Sequence, residues 1–426
     1  MNIEQLQQQC MERGIKYGIA SYVDIHGASK GKFVPVQHFG QMFKGSELFT
    51  GAALDGVPQD ISDNEVAAMP DMASMQQCQW NPELAWFASD LHLDGKPFEA
   101  CSRNILKRQL EKAAAMGFSL NLGIETEFFV LRDAADGKVV PFSDRDTLEK
   151  PCYDVPCMMD NIVIIDELVQ ALTDMGWGVY SFDHEDANGQ FEIDFNFSDA
   201  LTMSDRLVAD RTGSGAHYNM SLASLETGKN LFAPGPGDDR YDCGVSELAY
   251  QFIGGILRHA KAISAVVAPT VNSYKRLVRQ GSMSGSTWAP VFCCYGNNNR
   301  TNMLRIPSAG SRVECRAPDI ACNPYLGTAL MLAAGLEGIE QGIDPGLPHR
   351  EKMYHYSDQE ITDAGIECLP KNLSEATDAI ASDPLAMTVL GADMHKAFVD
   401  FKRAEWDSYH NTVSAWEMQR YLRLFG

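Results

Sequence analysis

Leu120–Leu131 reads LNLGIETEFFVL, a β-strand in which the two acids decide what the fold is for. Residues two apart on a strand point to the same side, so Glu125 and Glu127 share one face, followed by the apolar Phe128-Phe129-Val130. Alone, such a pair is an ordinary solvent-facing strand. A second stretch, His184–Phe195 (HEDANGQFEIDF), repeats the theme. Glu185 lies at a strand end, Asn188-Gly189 makes a turn, and Gln190, Glu192 and Asp194 alternate on the returning strand. Carboxylates packed together repel, and burial raises the cost. A divalent cation relieves both, and hard ions such as Mg²⁺ or Mn²⁺ prefer oxygen ligands. Gly213-Ser214-Gly215-Ala216-His217 adds an imidazole at the start of a further strand, and His217 gains weight from this company. Glu314, within Arg312–Arg316, is another strand carboxylate.

Outward from these strands the pattern is α+β. A helix over about residues 3–14 precedes the strands YGIASYVDI and GKFVPV, which are separated by a turn at His26-Gly27. A loop-rich stretch from Phe49 to Asp71 leads to the strand AWFASDLHL and the turn Asp94-Gly95. A helix starts near Ser102, read as its N-cap, and stops at Gly117. The domain boundary is therefore expected near residue 100, giving units 1–100 and 101–426. Beyond it strands alternate with helices at NIVIIDELVQALTDMGW, at 245–267 and at NPYLGTALMLAAGLEGIEQGI. Polar residues alternating inward along several strands imply a sheet with a hydrophilic, functional face.

The chain has 426 residues, 45% of them hydrophobic, enough for a large core. With 35 basic and 57 acidic residues its formal charge is −22, which excludes nucleic acid and anionic membrane surfaces as partners. No apolar run approaches the roughly 20 residues of a membrane span, and the N-terminus lacks a signal-peptide core. The eleven cysteines are scattered, with no C-x-x-C pair, and the adjacent Cys293 and Cys294 cannot bridge without strain. A cytoplasmic protein with reduced thiols is expected.

Arg276, Arg300, Arg305, Arg312 and Arg316 crowd into a short stretch of this acidic chain. Guanidinium forks bind carboxylates and phosphates bidentately, so an anionic ligand is expected there, although one or two of them could instead pair with the protein's own acids. Metal-binding carboxylates plus arginines are the kit for phosphoryl transfer. G-x-x-x-x-G-K-[ST] is absent, so the fold is not a common nucleotide-binding one.

Seven motifs now stand in order: Glu125-x-Glu127-Phe-Phe, His184-Glu185 with Gly189-Gln190-x-Glu192, Gly213-Ser-Gly-x-His217, Asn272-Ser-Tyr-Lys-Arg276-Leu, Asn299-Arg300 with Arg305-Ile-Pro307, Arg312-x-Glu314-x-Arg316, and Asn323-Pro-Tyr-Leu326. In this register the chain resembles the glutamine synthetases over nearly its whole length. The resemblance implies a small N-terminal β-grasp domain and a larger catalytic domain built on an antiparallel sheet with surrounding helices. It implies a homo-oligomer of stacked rings, a dodecamer, with sites at subunit interfaces. It implies ATP as co-substrate, two or more Mg²⁺ or Mn²⁺ per site, and ligation of ammonia or a small amine to the γ-carboxylate of glutamate through γ-glutamyl phosphate. Carried over by motif, Glu127, Glu185 and Glu192 hold the cation nearer glutamate, and Glu125, His217 and Glu314 the one nearer the ATP phosphates. Gly213 and Arg276 bind glutamate. Arg300, Arg305 and Arg312 meet ATP, while Arg305 and Arg316 meet the reacting carboxylate. Asp55 reaches a neighbouring subunit's site and, with Arg300 and Arg316, is assigned to catalysis.

Three departures from the resemblance matter. The segment RQGSMSGSTWAPV carries no acid where typical members have a glutamate that closes the site, as in the γ-glutamylmethylamide synthetase and type III subgroup, so methylamine competes with ammonia as acceptor. Asn219 stands where the family often has a second histidine. The stretch between Glu192 and Gly213 is short by roughly one helix and one strand. A non-catalytic scaffold or sensor is the second reading, favoured by that shortening. A metal-dependent hydrolase is the third, opposed by the arginines.

Overall fold

The computed structural model describes residues 2–135, 137–209, 215–279, 289–422 and 424. The fold is α+β, with two main sheets. The first has seven strands, and its main path runs Ser29–Pro35, Tyr17–Val23, Leu84–Leu93, Val66–Pro70, Glu47–Phe49. Tyr17–Val23 lies parallel to Leu84–Leu93, and the other pairs are antiparallel. Leu6, Phe39 and Phe87 pack beneath it in a core of their own.

The second sheet has nine strands and carries the acids. Its path runs Val179–His184, Gln190–Phe195, Phe118–Phe129, Ala216–Ser224, Val313–Cys315, Asn302–Ile306, Phe292–Asn297, Glu367–Cys368. Only Phe292–Asn297 and Asn302–Ile306 run parallel. Helices close its back, chief among them Pro324–Gln341, which is buried almost throughout. This helix starts where Asn323 accepts hydrogen bonds from the Tyr325 and Leu326 amides and Pro324 occupies the first turn. It ends at Gly342, whose φ of 62° is left-handed.

Some sequence boundaries shift. Cys101, not Ser102, caps the helix Ser102–Ala115; the Ser102 hydroxyl instead accepts a bond from Asn323. The apolar stretch 245–267 is two helices, Glu247–Arg258 and Ala260–Val267, broken at His259. His259 holds Asp383 at 2.7 Å and Glu337 at 2.6 Å through its two ring nitrogens. All eleven cysteines are free. Among the described residues, no helix is long and apolar enough to cross a membrane.

Arg103 ties the first sheet to the helices Ser102–Ala115 and Ala200–Ala209. It is 2% exposed and meets both oxygens of Asp205 at 2.9 Å, Asp90 at 2.9 Å and Asp71 at 2.9 Å. Asp71 and Asp90 belong to the first sheet's strands and loops, Asp205 to the helix Ala200–Ala209, and Tyr325 adds a hydroxyl to Asp205 at 2.7 Å. Removing one partner of a buried ionic cluster leaves the other charges uncompensated. Arg103→Met is therefore expected to cost about 3–5 kcal/mol. In urea unfolding this reads as a lowered midpoint; an unchanged midpoint would refute the account.

Candidate active site

Register builds the site. Glu127 lies opposite Glu192, Glu192 opposite Asp183, and Glu125 opposite His217. Directly opposed residues of an antiparallel pair point to the same face. One face therefore presents Asp183, Glu192 and Glu127 in a row, with Glu125 and His217 in the next. The alternate residues Phe191, Ile193 and Phe195 are buried on the other side. Further along, Asn219 opposes Glu314, and Glu314 opposes Arg305. Gly215 gives the Glu127 carboxyl its room: a Cβ there would stand 2.4 Å from the Glu127 carboxyl carbon.

Three groups of ligand atoms result, each within 4.8 Å: Glu125, His217 and Glu314; Glu127, Glu192 and His217; Asp183, Glu185 and Glu192. Because His217 and Glu192 are each shared, the donors form one continuous chain. The first group is the set the sequence assigns to the cation nearer ATP. The other assigned set, Glu127, Glu185 and Glu192, is spread over the second and third groups, and Asp183 joins as a residue the sequence reading missed. Gln190 was seen only as a strand residue; its amide donates to Glu127 at 2.6 Å.

The turn of the hairpin is pinned from behind. Asp146 is buried and accepts from Asn188 at 2.7 Å, from the Gly189 amide and from the His184 ring at 2.8 Å. The other ring nitrogen of His184 lies 2.8 Å from the Glu185 carbonyl, which fixes the backbone that carries Glu185. Asp146, Cys157 and His184 also lie within metal-ligand reach of one another, but the Asp146 oxygens are already filled by protein donors.

The acids pay for their crowding in proton affinity. Burial, then Glu125, Glu127, Glu185 and Asp194, push Glu192 up to about 10. Burial, then Glu127 and Asp183, raise Glu185 to about 7, and burial with Glu125 and Asp183 raises Asp194 to about 6. Burial pushes Glu125 the same way, but the His217 hydrogen bond and charge, Asn219 and Arg316 outweigh it and hold Glu125 at about 2. The carboxylates of Asp183, Glu192 and Asp194 take no hydrogen bond or ion pair from the described residues. Unpaired, half-buried oxygens in this number, with one imidazole, fit a hard divalent cation.

Arg305 and Arg316 converge on Glu314, which is wholly buried; Arg305 donates at 2.5 Å and Arg316 pairs with the other oxygen. Arg312 donates at 2.7 Å to Asn219, whose amide in turn donates to Glu125 at 2.9 Å. Asn219 thus links an arginine to a metal-type acid. Arg276 donates to the Ala317 and Pro318 carbonyls at 2.6 and 3.2 Å. Among the described residues, the buried Nε atoms of Arg276 and Arg316 have no hydrogen-bond partner. Arg300 lies within electrostatic reach of Asp183 and Glu185. Asp55 is not brought to this face: it is exposed on a turn below the first sheet, 3.7 Å from His26. Gly213 and most of RQGSMSGSTWAPV lie outside the described residues.

Comparison with known proteins shows the family. The family model "Glutamine synthetase, catalytic domain" matches residues 99–212 and 207–421. A glutamate–methylamine ligase of Methyloversatilis universalis is 39% identical, covering 100% of each chain. A glutamine synthetase of Rhizobium meliloti is 36% identical over 96% of this chain and 97% of its own. The solved structure "GmaS/ADP complex-Conformation 1" is similar with a TM-score of 0.88 at 38% identity, covering 98% and 99% of the two chains. The two family matches meet at 207–212, where the sequence is short. The alignment to the methylamine ligase runs to 450 positions against 426 residues, so this chain lacks 24 of them.

The raised acids give a pH signature. Glu185 and Glu192 hold protons in the native, cation-free protein that an unfolded chain releases near about 4.3. Their contribution to stability is complete below that value and is lost as pH rises through about 7 and then towards 10. The melting temperature of the cation-free protein is expected to fall by several degrees between about pH 6 and pH 9, and added Mn²⁺ to reverse the fall. A melting temperature of the cation-free protein that rises over this range contradicts the electrostatics described.

Proposed function

Because the chain belongs to the glutamine synthetase family, we propose that it joins a small amine to the γ-carboxylate of glutamate with conversion of ATP to ADP. The observation that carries this reading is the convergence of Glu125, Glu127, Glu192, His217 and Glu314 on one sheet face, with Glu185 at its edge and Arg305 and Arg316 alongside. The higher identity to a methylamine ligase supports ranking methylamine ahead of ammonia as the acceptor.

A free carboxylate is a poor acyl donor because oxide leaves badly. Transfer of the γ-phosphoryl group of ATP to the glutamate γ-carboxylate supplies a leaving group; the neutral amine then attacks the acyl carbon and phosphate departs. Glu127, Glu185 and Glu192, with Glu125, His217 and Glu314, would hold two or more Mg²⁺ or Mn²⁺ per site, which would supply charge neutralisation at the phosphates. The protein's own residues do the rest. Arg276, with Gly213, grips glutamate. Arg300, Arg305 and Arg312 meet the ATP phosphates, and Arg300 and Arg316 face the transferring group. Glu314 holds the forks of Arg305 and Arg316 in fixed orientation, which lowers the reorganisation required as charge develops. Asp55, supplied by a neighbouring copy, takes the proton from the ammonium form of the amine. That role requires an oligomer, which we assign to stacked rings, a dodecamer, in the cytoplasm. The chain divides near residue 100 into an N-terminal unit and a catalytic unit.

The short stretch between Glu192 and Gly213 favours one second reading, a scaffold that keeps the fold without turnover. A panel of ammonia, methylamine, ethylamine and a polyamine, with saturating ATP and glutamate, separates the two through ADP release. Methylamine is expected to give the fastest release, and Glu192→Gln to reduce it roughly 10²-fold. Absence of ADP with every amine, in protein that still binds Mn²⁺ and ATP by calorimetry, would establish the scaffold. Light scattering is expected to return a ring oligomer; a monomer would remove the role given to Asp55.

A further inference from the structure

We propose that Asp183 is a direct ligand to the divalent cation held by Glu185 and Glu192, an acid that the family motifs do not assign. The inference rests on the ligase reading of the site and adds one residue to it.

Three observations converge. Asp183 stands opposite Glu192 across the hairpin, so the two carboxylates leave the sheet on the same face as neighbours. Its ligand oxygen, with those of Glu185 and Glu192, lies within 4.8 Å of the others, close enough to share one ion. Its carboxylate is half-buried and takes no hydrogen bond or ion pair from the described residues, and Arg300 acts on it only as a longer-range charge. The contrast with Asp146 is direct, since that acid lies equally near His184 but is filled by protein donors. Asp194 faces the same side one row away and falls in none of the ligand groups.

The chemical consequence is a site richer in anionic oxygen. Glu127, Glu185 and Glu192 with Asp183 give four carboxylates around one end of the donor chain. Cation affinity in oxygen sites is tuned by the number of charged ligands, so Asp183 tightens binding there and leaves the Glu125, His217 and Glu314 end unaffected.

Mn²⁺ titration of the full chain by calorimetry tests this. Native protein is expected to bind two or more Mn²⁺. Asp183→Asn is expected to weaken one class of site by at least roughly ten-fold and spare the other. Asp183→Glu should restore part of the loss. Asp183→Cys, made in a Cys152→Ser background, answers whether the contact is direct: with Cd²⁺ it is expected to add a thiolate-to-metal charge-transfer band beyond that of the Cys152→Ser protein alone. If native protein and Asp183→Asn bind Mn²⁺ alike, or if weakening occurs but the cysteine variant gives no added band, the proposal is overturned while the ligase reading stands. If the native protein binds no Mn²⁺ at all, the ligase reading itself fails.

Discussion

The functional architecture depends on the register of one strand. Phe118–Phe129 sits between the hairpin and Ala216–Ser224, setting Glu127 against Glu192 and Glu125 against His217. A slip of one residue would turn Glu125 and Glu127 to the apolar back of the sheet and bring Phe128 and Ile124 to the front. The arrangement is held from both ends. The Asp146 and His184 pair locks the hairpin turn, and Glu314 with its two arginines fixes the far side. The crowding is unfavourable without a cation, and the displaced proton affinities of Glu185, Glu192 and Asp194 express that.

Most of the strands and helices around the site were legible because their periods are plain. Tyr17–Val23, Leu84–Leu93, Gln190–Phe195 and Pro324–Gln341 all fall where alternation or a capped apolar run puts them. The candidate residues were less evenly readable. The acids of a single strand declare a shared face, so Glu125 with Glu127 could be paired by eye. Asp183 could not, because Glu185 reads as a strand end; only the pairing Val179–His184 with Gln190–Phe195 shows that the alternation extends backwards. Arg305 and Arg316 meeting on Glu314 is likewise a matter of sheet neighbours. The break at His259 came from partners far along the chain, Glu337 and Asp383, which no local propensity encodes.

Asn219 illustrates how a departure in the sequence is absorbed. A neutral amide there donates to Glu125 and accepts from Arg312, two tasks that an imidazole performs only by choosing a tautomer. The chain's shortening is of another kind. The next described element after the helix Ala200–Ala209 is the strand beginning at Ala216, and that strand reaches both of its neighbours in the sheet.

Arg103 bears on modularity. The first sheet has its own apolar core, so by hydrophobic content alone the leading hundred residues resemble an exchangeable part. Their acids Asp71 and Asp90, however, are neutralised by a guanidinium that the following helix supplies. Recombining this segment with the remainder of a relative would succeed only where the recipient offers an arginine in the same place. The two parts are therefore joined by charge as well as by packing, since Val23, Ile25, Trp86 and Ala88 belong to the larger core.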